Sequence, residues 1–293
     1  MPGRAVRVLV LSIVTWSIVG AAETQHSVSF SRQCIIYGLD TRSRGAISEL
    51  AEQTKANVLT LLRRPDRWVI PIVVNLQLPQ ANLPEIPPAA LRFSQTGAGL
   101  KLQVDLTIGD QINRAQIERQ LLRAVLLEMI YRRETDLAEG TAYVEPPNWL
   151  IEGLLALEPG RDRAAMTEAL AVSAPKISLP DFLQLRPESL DAATRELYPA
   201  YSFALLQFLV DTSDGEARLG RYIDNLSRAS NDPFTDLATC FPNLKEPDVA
   251  RIWQSHLNRL TSGANYQLLT FVETETELAA ILRTLTVESG MEF

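Results

Sequence analysis

The chain predicts an α+β fold, in which a mixed-sheet lobe with its own helix is followed by a mostly helical body. Three features of the 293-residue sequence point there. Runs of β-branched and aromatic residues with strand-like patterning all lie before Gly109. Two nearly all-apolar helical stretches follow, around Leu121 and Trp149, each holding one glutamate. Beyond them only helical periodicity and proline punctuation remain. A hydrophobic content of 46% supplies a sizeable core. The formal charge of -7 and the lack of a basic block argue against a nucleic-acid partner.

Residues 1–22 read as a secretory leader. Arg4 and Arg7 form a positive start, Val8 to Gly20 an apolar centre, and Gly20-Ala21-Ala22 a small-residue cleavage site. The apolar run falls short of the roughly 20 residues that span a bilayer. The expected product is exported, periplasmic or extracellular, and meets a membrane only if the leader is uncleaved.

Residues 23–110 form the expected α/β lobe. Ser27 to Tyr37 reads as one strand ending at Gly38, and Ser43 to Leu62 as an amphipathic helix stopped by Arg64-Pro65-Asp66. Trp68 to Leu78 reads as a strand whose Pro71 implies an edge position or a bulge. Pro79 to Pro88, with four prolines, is a loop. Leu91 to Ser94 and Leu100 to Ile108 flank Gln95 to Gly99, which reads as a hairpin turn. In the second arm Leu100, Leu102, Val104, Leu106 and Ile108 alternate with polar residues, the mark of a strand with one wet face.

Residues 111–262 form the expected helical core and C-terminal lobe. Asn113 or Asp110 caps a helix beginning near Arg114, which is apolar nearly all round from Leu121 to Ile130 and therefore central. A second helix runs Pro147-Asn148-Trp149-Leu150-Ile151-Glu152-Gly153. Pro180 and Pro187 break the chain that follows. Further helices are read at Pro199 to Val210, Asp214 to Ser227 and Glu246 to Leu260, and residues 263–293 are a tail with an amphipathic segment at Thr274 to Leu285. The two cysteines, Cys34 and Cys240, fit either a disulfide in an oxidising compartment or two buried thiols.

The two glutamates within apolar runs carry the functional signal, because an ionised carboxylate is rarely buried without a partner or a metal. Leu127-Glu128-Met129-Ile130-Tyr131 has the frame of H-E-x-x-H, the zinc-peptidase helix motif in which two imidazoles at i and i+4 bind the metal and the glutamate acts as general base. Trp149-x-x-Glu152-Gly153 is similar to the helix that supplies the third ligand. The segment thus resembles the core of the peptidase MA-like family, the gluzincin or thermolysin-like zincins, with both histidines missing. The resemblance runs from about Cys34 to Leu260. It implies a zincin-like fold, relic metal positions at Leu127, Tyr131 and Glu152, a relic general base at Glu128, and a former cleft lined by Glu128, Tyr131, Trp149 and Glu152.

The departures remove the chemistry that the resemblance would bring. Catalytic zinc takes three protein ligands, usually with imidazole among them. The chain has two histidines, His26 and His256, neither on the Glu128 helix, and His256 reads as a surface or packing residue. Zinc and other cofactors are therefore not expected. In place of a metal, each glutamate is expected to bond backbone amides or an arginine, with Arg123, Arg132 and Arg133 nearby in sequence, and Tyr131 to donate its hydroxyl to Glu152. The expectation is a non-catalytic pseudo-peptidase whose former cleft binds a peptide or protein or packs shut. Two alternatives stay open: a hydrolase using Glu128 and Glu152 with an atypical metal, and a structural module of the cell envelope.

Overall fold

A computed structural model describes residues 25–79, 87–96, 99–109, 113–134 and 143–263. The leader, most of the proline loop, the centre of the 97–98 turn, Asp110 and the Thr274 to Leu285 segment lie outside these residues. The described chain is α+β, with a mixed five-stranded sheet preceding a helical remainder.

The strands are β1 (His26–Val28), β2 (Cys34–Tyr37), β3 (Ile72–Gln77), β4 (Ala89–Thr96) and β5 (Gly99–Thr107), in the spatial order β1-β2-β3-β5-β4. The inner pairings, β2 with β3 and β3 with β5, are parallel; both outer ones are antiparallel. Register stacks Cys34, Ile72 and Leu102 in one row and Ile36, Val74 and Val104 in the next. All six are buried, so one face is apolar across the three inner strands. The other face is polar: Asn75 and Gln103 donate to Asp105, Gln77 donates to Thr107, and Arg92 pairs with Asp105 at 2.7 Å.

Two expectations for this lobe are corrected, and one left open is decided. The stretch from Ser27 to Tyr37 is two strands, because the chain reverses at Ser29 to Arg32, where the Arg32 N–H bonds the Ser29 carbonyl and Arg32 takes φ 61°. Pro71 marks neither an edge nor a bulge: β3 is the central strand and starts one residue later, at Ile72. A proline immediately before a strand removes no ladder hydrogen bond. Cys34 and Cys240 are both free and buried, so the disulfide alternative is absent. Burial pushes the Cys34 thiol up to about 12.

Helix α1 (Thr41–Leu61) is capped by Asp40, and α2 (Arg114–Tyr131) by Asn113, whose side chain accepts from the Gln116 N–H. Both cover the apolar face of the sheet, α1 against β1 and β2, α2 against β4 and β5. The body continues with α3 (Asn148–Leu157), α4 (Arg163–Val172), α5 (Leu179–Gln184), α6 (Ala192–Val210), α7 (Gly215–Asn225), α8 (Pro233–Cys240) and α9 (Val249–Gly263). Pro180 lies in the first turn of α5 and Pro187 opens a short 3-10 turn, so both start elements instead of breaking one. Helix α6 begins seven residues before Pro199, at the Asp191 cap, and the proline sits inside it. The bond lost there is the one to the Arg195 carbonyl, and Arg195 is exposed to water.

A continuous buried cluster joins the sheet, α2, α3 and α6 and extends to Trp253 and Leu257 of α9. One close helix crossing is at Gly153, where an added Cβ would lie 2.8 Å from the Ser202 carbonyl oxygen and 2.9 Å from the Leu206 Cβ. The glycine of the W-x-x-E-G stretch thus lets α3 and α6 approach. Gly153→Ala is expected to destabilise the fold by about 1–3 kcal/mol through overpacking, read as a lowered urea midpoint with unchanged slope. Ellman titration in denaturant without reductant is expected to find both thiols of the chain, Cys34 and Cys240, free.

Candidate functional site

The residues singled out in the sequence are all on α2 and α3, and all are buried: Leu127 3%, Glu128 0%, Tyr131 3%, Trp149 2% and Glu152 9% exposed. These five side chains are covered by the packing around them.

Glu128 occupies the i, i+4 frame with Arg132, and their charged heads meet at 2.9 Å. Its other oxygen accepts from the Val69 N–H at 2.9 Å and, at 3.4 Å, from the Ile70 N–H. The backbone amides and the arginine expected as partners are what surround this carboxylate. Burial pushes the Glu128 carboxyl above its ordinary range; the Val69 amide, Arg132 and the Ile70 amide pull it back without overcoming the burial. Arg132 is itself held from two sides. Its guanidinium lies 5.0 Å from the centre of the Trp68 ring and donates to the Arg67 carbonyl at 2.8 Å.

Tyr131 does not serve Glu152. Its hydroxyl accepts from the Val144 N–H at 2.7 Å and donates to the Val144 carbonyl at 3.4 Å. Its ring packs with Phe93 of β4 and with Tyr143. Tyr131 thereby fastens the chain entering α3 to the end of α2. Burial raises its hydroxyl pKa, which disfavours a phenolate.

Glu152 pairs with Arg119, a residue the sequence reading did not name. Arg119 and Tyr131 are twelve positions apart on α2, roughly 18 Å at 1.5 Å per residue. Glu152 is thus tied to the far end of the helix from Tyr131. Of the arginines proposed as partners, Arg132 serves Glu128, while Arg123 pairs with Glu145 and Arg133 with Asp224. Trp149 packs against Tyr222, ring centres 5.8 Å apart.

His256 is a packing residue. It is 3% exposed, shares a hydrogen bond with the Ala204 carbonyl at 3.0 Å, receives one from Arg259 and stacks on Trp253. Burial lowers its pKa, which keeps the ring neutral. His26 is exposed at the start of β1, against Tyr37.

Among the described residues, no group of three or more His, Cys, Asp or Glu side chains could hold a metal ion. Leu127 has no donor atom, and the donors at 128, 131 and 152 are committed to Val69, Ile70 and Arg132, to Val144, and to Arg119. An open concavity lies elsewhere. Between α1 and α3 a cavity of about 230 Å3 is lined by Val58, Leu61, Leu122, Leu154 and Leu157. A more polar hollow with Gln53, Arg114, Glu118 and Arg161 continues it through Asn57 and Glu158.

In comparisons with known proteins the chain matches no family model and no curated protein.

The Glu128 arrangement makes a prediction about stability. Glu128→Ala leaves Arg132 buried beside Trp68 and strands two amides, and is expected to cost about 3–5 kcal/mol. Glu128→Gln keeps an acceptor for the amides and is expected to cost less. Because the carboxyl pKa is raised in the folded state, its contribution is in place below the unfolded value and is lost as pH rises through the folded one. Denaturation of the Gln variant across this range should lack that downward slope.

Proposed function

We propose that this is an exported, non-catalytic protein of gluzincin-like, zincin-fold descent, which works by binding a peptide or protein. The observation that carries the reading is the commitment of Glu128, the general-base position of the motif. A general base must reach an attacking water, and this carboxylate is fully buried against Val69, Ile70 and Arg132. Leu127 supports the same reading, since an aliphatic side chain ligates nothing, and so does Glu152, whose charge is met by Arg119.

The binding surface in this reading is not the former cleft, because its four side chains are covered. The groove between α1 and α3 is the better candidate. Its apolar floor adjoins polar walls at Asn57 and Glu158, the combination on which peptide and small-molecule sites are built. The runner-up, a hydrolase using Glu128 and Glu152 with an atypical metal, has no observation in its favour: the two carboxylates are held by different arginines, Arg132 and Arg119.

Metal content decides between these readings. After incubation of Glu23 to Phe293 with zinc and dialysis, mass spectrometry is expected to find less than about a tenth of an equivalent, against the full equivalent of a three-ligand site. Near one equivalent, lost in Glu152→Gln, would overturn the proposal and call for peptidase assays.

A further inference from the structure

The most exposed large apolar side chain among the described residues is Phe30, 98% accessible at the tip of the β1–β2 hairpin. It is held out by its neighbours. Ser29 Oγ accepts from the Cys34 N–H at 3.1 Å, the Arg32 N–H bonds the Ser29 carbonyl, and both the N–H and the hydroxyl of Ser31 bond Glu52. Both residues flanking Phe30 are therefore anchored inward, while the ring between them touches water.

The loop that leads into β3 comes to the same end of the sheet. Glu52, which binds Ser31, also pairs with Lys55; Lys55 pairs with Asp66 at 3.0 Å and lies over the Trp68 ring. Through this chain the hairpin tip is tied to residues 66–69, where Val69 is 67% exposed. Val28, on the strand leading to the tip, is 50% exposed. Arg32 and Arg67 are exposed beside these apolar groups, and neither side chain has a carboxylate partner among the described residues. Of the other charges facing this end, Lys55 meets two carboxylates, Glu52 and Asp66, and Arg132 meets Glu128. With Arg32 and Arg67 counted, these groups carry one net positive charge, on a chain of formal charge -7.

We propose that this end of the sheet, with Phe30 at its tip and Arg32 and Arg67 at its sides, docks on an anionic lipid surface. One ring and two valines are too little for a stable protein interface, which buries about 800 Å2 on each partner. They suit shallow insertion, in which an aromatic ring sits at headgroup depth and guanidinium groups meet lipid phosphates. Because the turn is fixed by hydrogen bonds before contact, little ordering accompanies insertion.

Sedimentation of Glu23 to Phe293 with phosphatidylglycerol-rich vesicles tests this without the leader. The protein is expected to pellet with these vesicles, far less with pure phosphatidylcholine, and less again in high salt. Phe30→Ser should weaken partitioning about tenfold, the scale set by burying one aromatic side chain. Arg32→Gln with Arg67→Gln should weaken it and flatten its salt dependence. Phe30 is solvent-exposed, so the Ser variant should keep the parent melting temperature, checked by circular dichroism. No pelleting, or pelleting unchanged in Phe30→Ser, overturns the proposal. So does self-association in light scattering that disappears in Phe30→Ser while vesicles stay unbound, which would make the tip a protein contact instead.

Discussion

The carboxylate of Glu128 is the constraint around which the two parts of the molecule meet. Desolvating it is costly, and its surroundings offset that cost with an arginine and two main-chain amides. The amides matter because of where they sit. Pro71 has no N–H, and the Ile72 N–H bonds the Gln33 carbonyl as the ladder begins. Val69 and Ile70 are therefore the donors just before β3 that the sheet does not use. Glu128 takes both, which accounts for the backbone at this entry and sets the central strand against α2. Arg132 completes the joint by reaching the Arg67 carbonyl and the Trp68 face from the same helix turn.

The charged pair on α2 uses the spacing that puts two side chains on one helix face. On α2 the pair at i and i+4 is now Glu128 and Arg132, one frame beyond Leu127 and Tyr131. Leu127 joins the core and Tyr131 clamps Val144, so this face of α2 holds its end to the chain entering α3. Replacing either residue with a ligand would leave the others committed elsewhere. The site is closed by several independent contacts, which no single substitution would undo.

Much of the fold was legible because burial and pattern agree. The alternation in β5 places Leu102, Val104 and Leu106 inside at 0% exposure, and the all-apolar run in α2 marks a helix with neighbours on most sides. The errors have local causes. The turn at Ser29 to Arg32 contains no glycine, proline or asparagine, and its left-handed residue is an arginine, so composition hid the reversal. Pro199 suggested a helix start because proline usually stands there, whereas the Asp191 cap had already begun the helix. At the site, the Glu128–Arg132 pair was readable from i, i+4 spacing. Arg119 was not, since its contact with Glu152 is made across two helices and no local spacing encodes it.

The same joint shapes the outer end of the sheet. Trp68 lies between Arg132 and Lys55, so the loop that supplies amides to Glu128 is also fastened to α1 and, through Glu52, to the hairpin tip. Burial would raise the Glu52 carboxyl, but bonds from Lys55, Ser29 and Ser31 outweigh it and hold the pKa down to about 2. With a pKa depressed on folding, this clasp is in place above the ordinary carboxylate range and is lost only as pH falls through about 2. A hairpin tied down in this way presents Phe30 on a fixed support instead of a loose loop. What a buried glutamate fixes on the inside is thus continuous with what the surface presents, and the two need not share an evolutionary origin to depend on one scaffold.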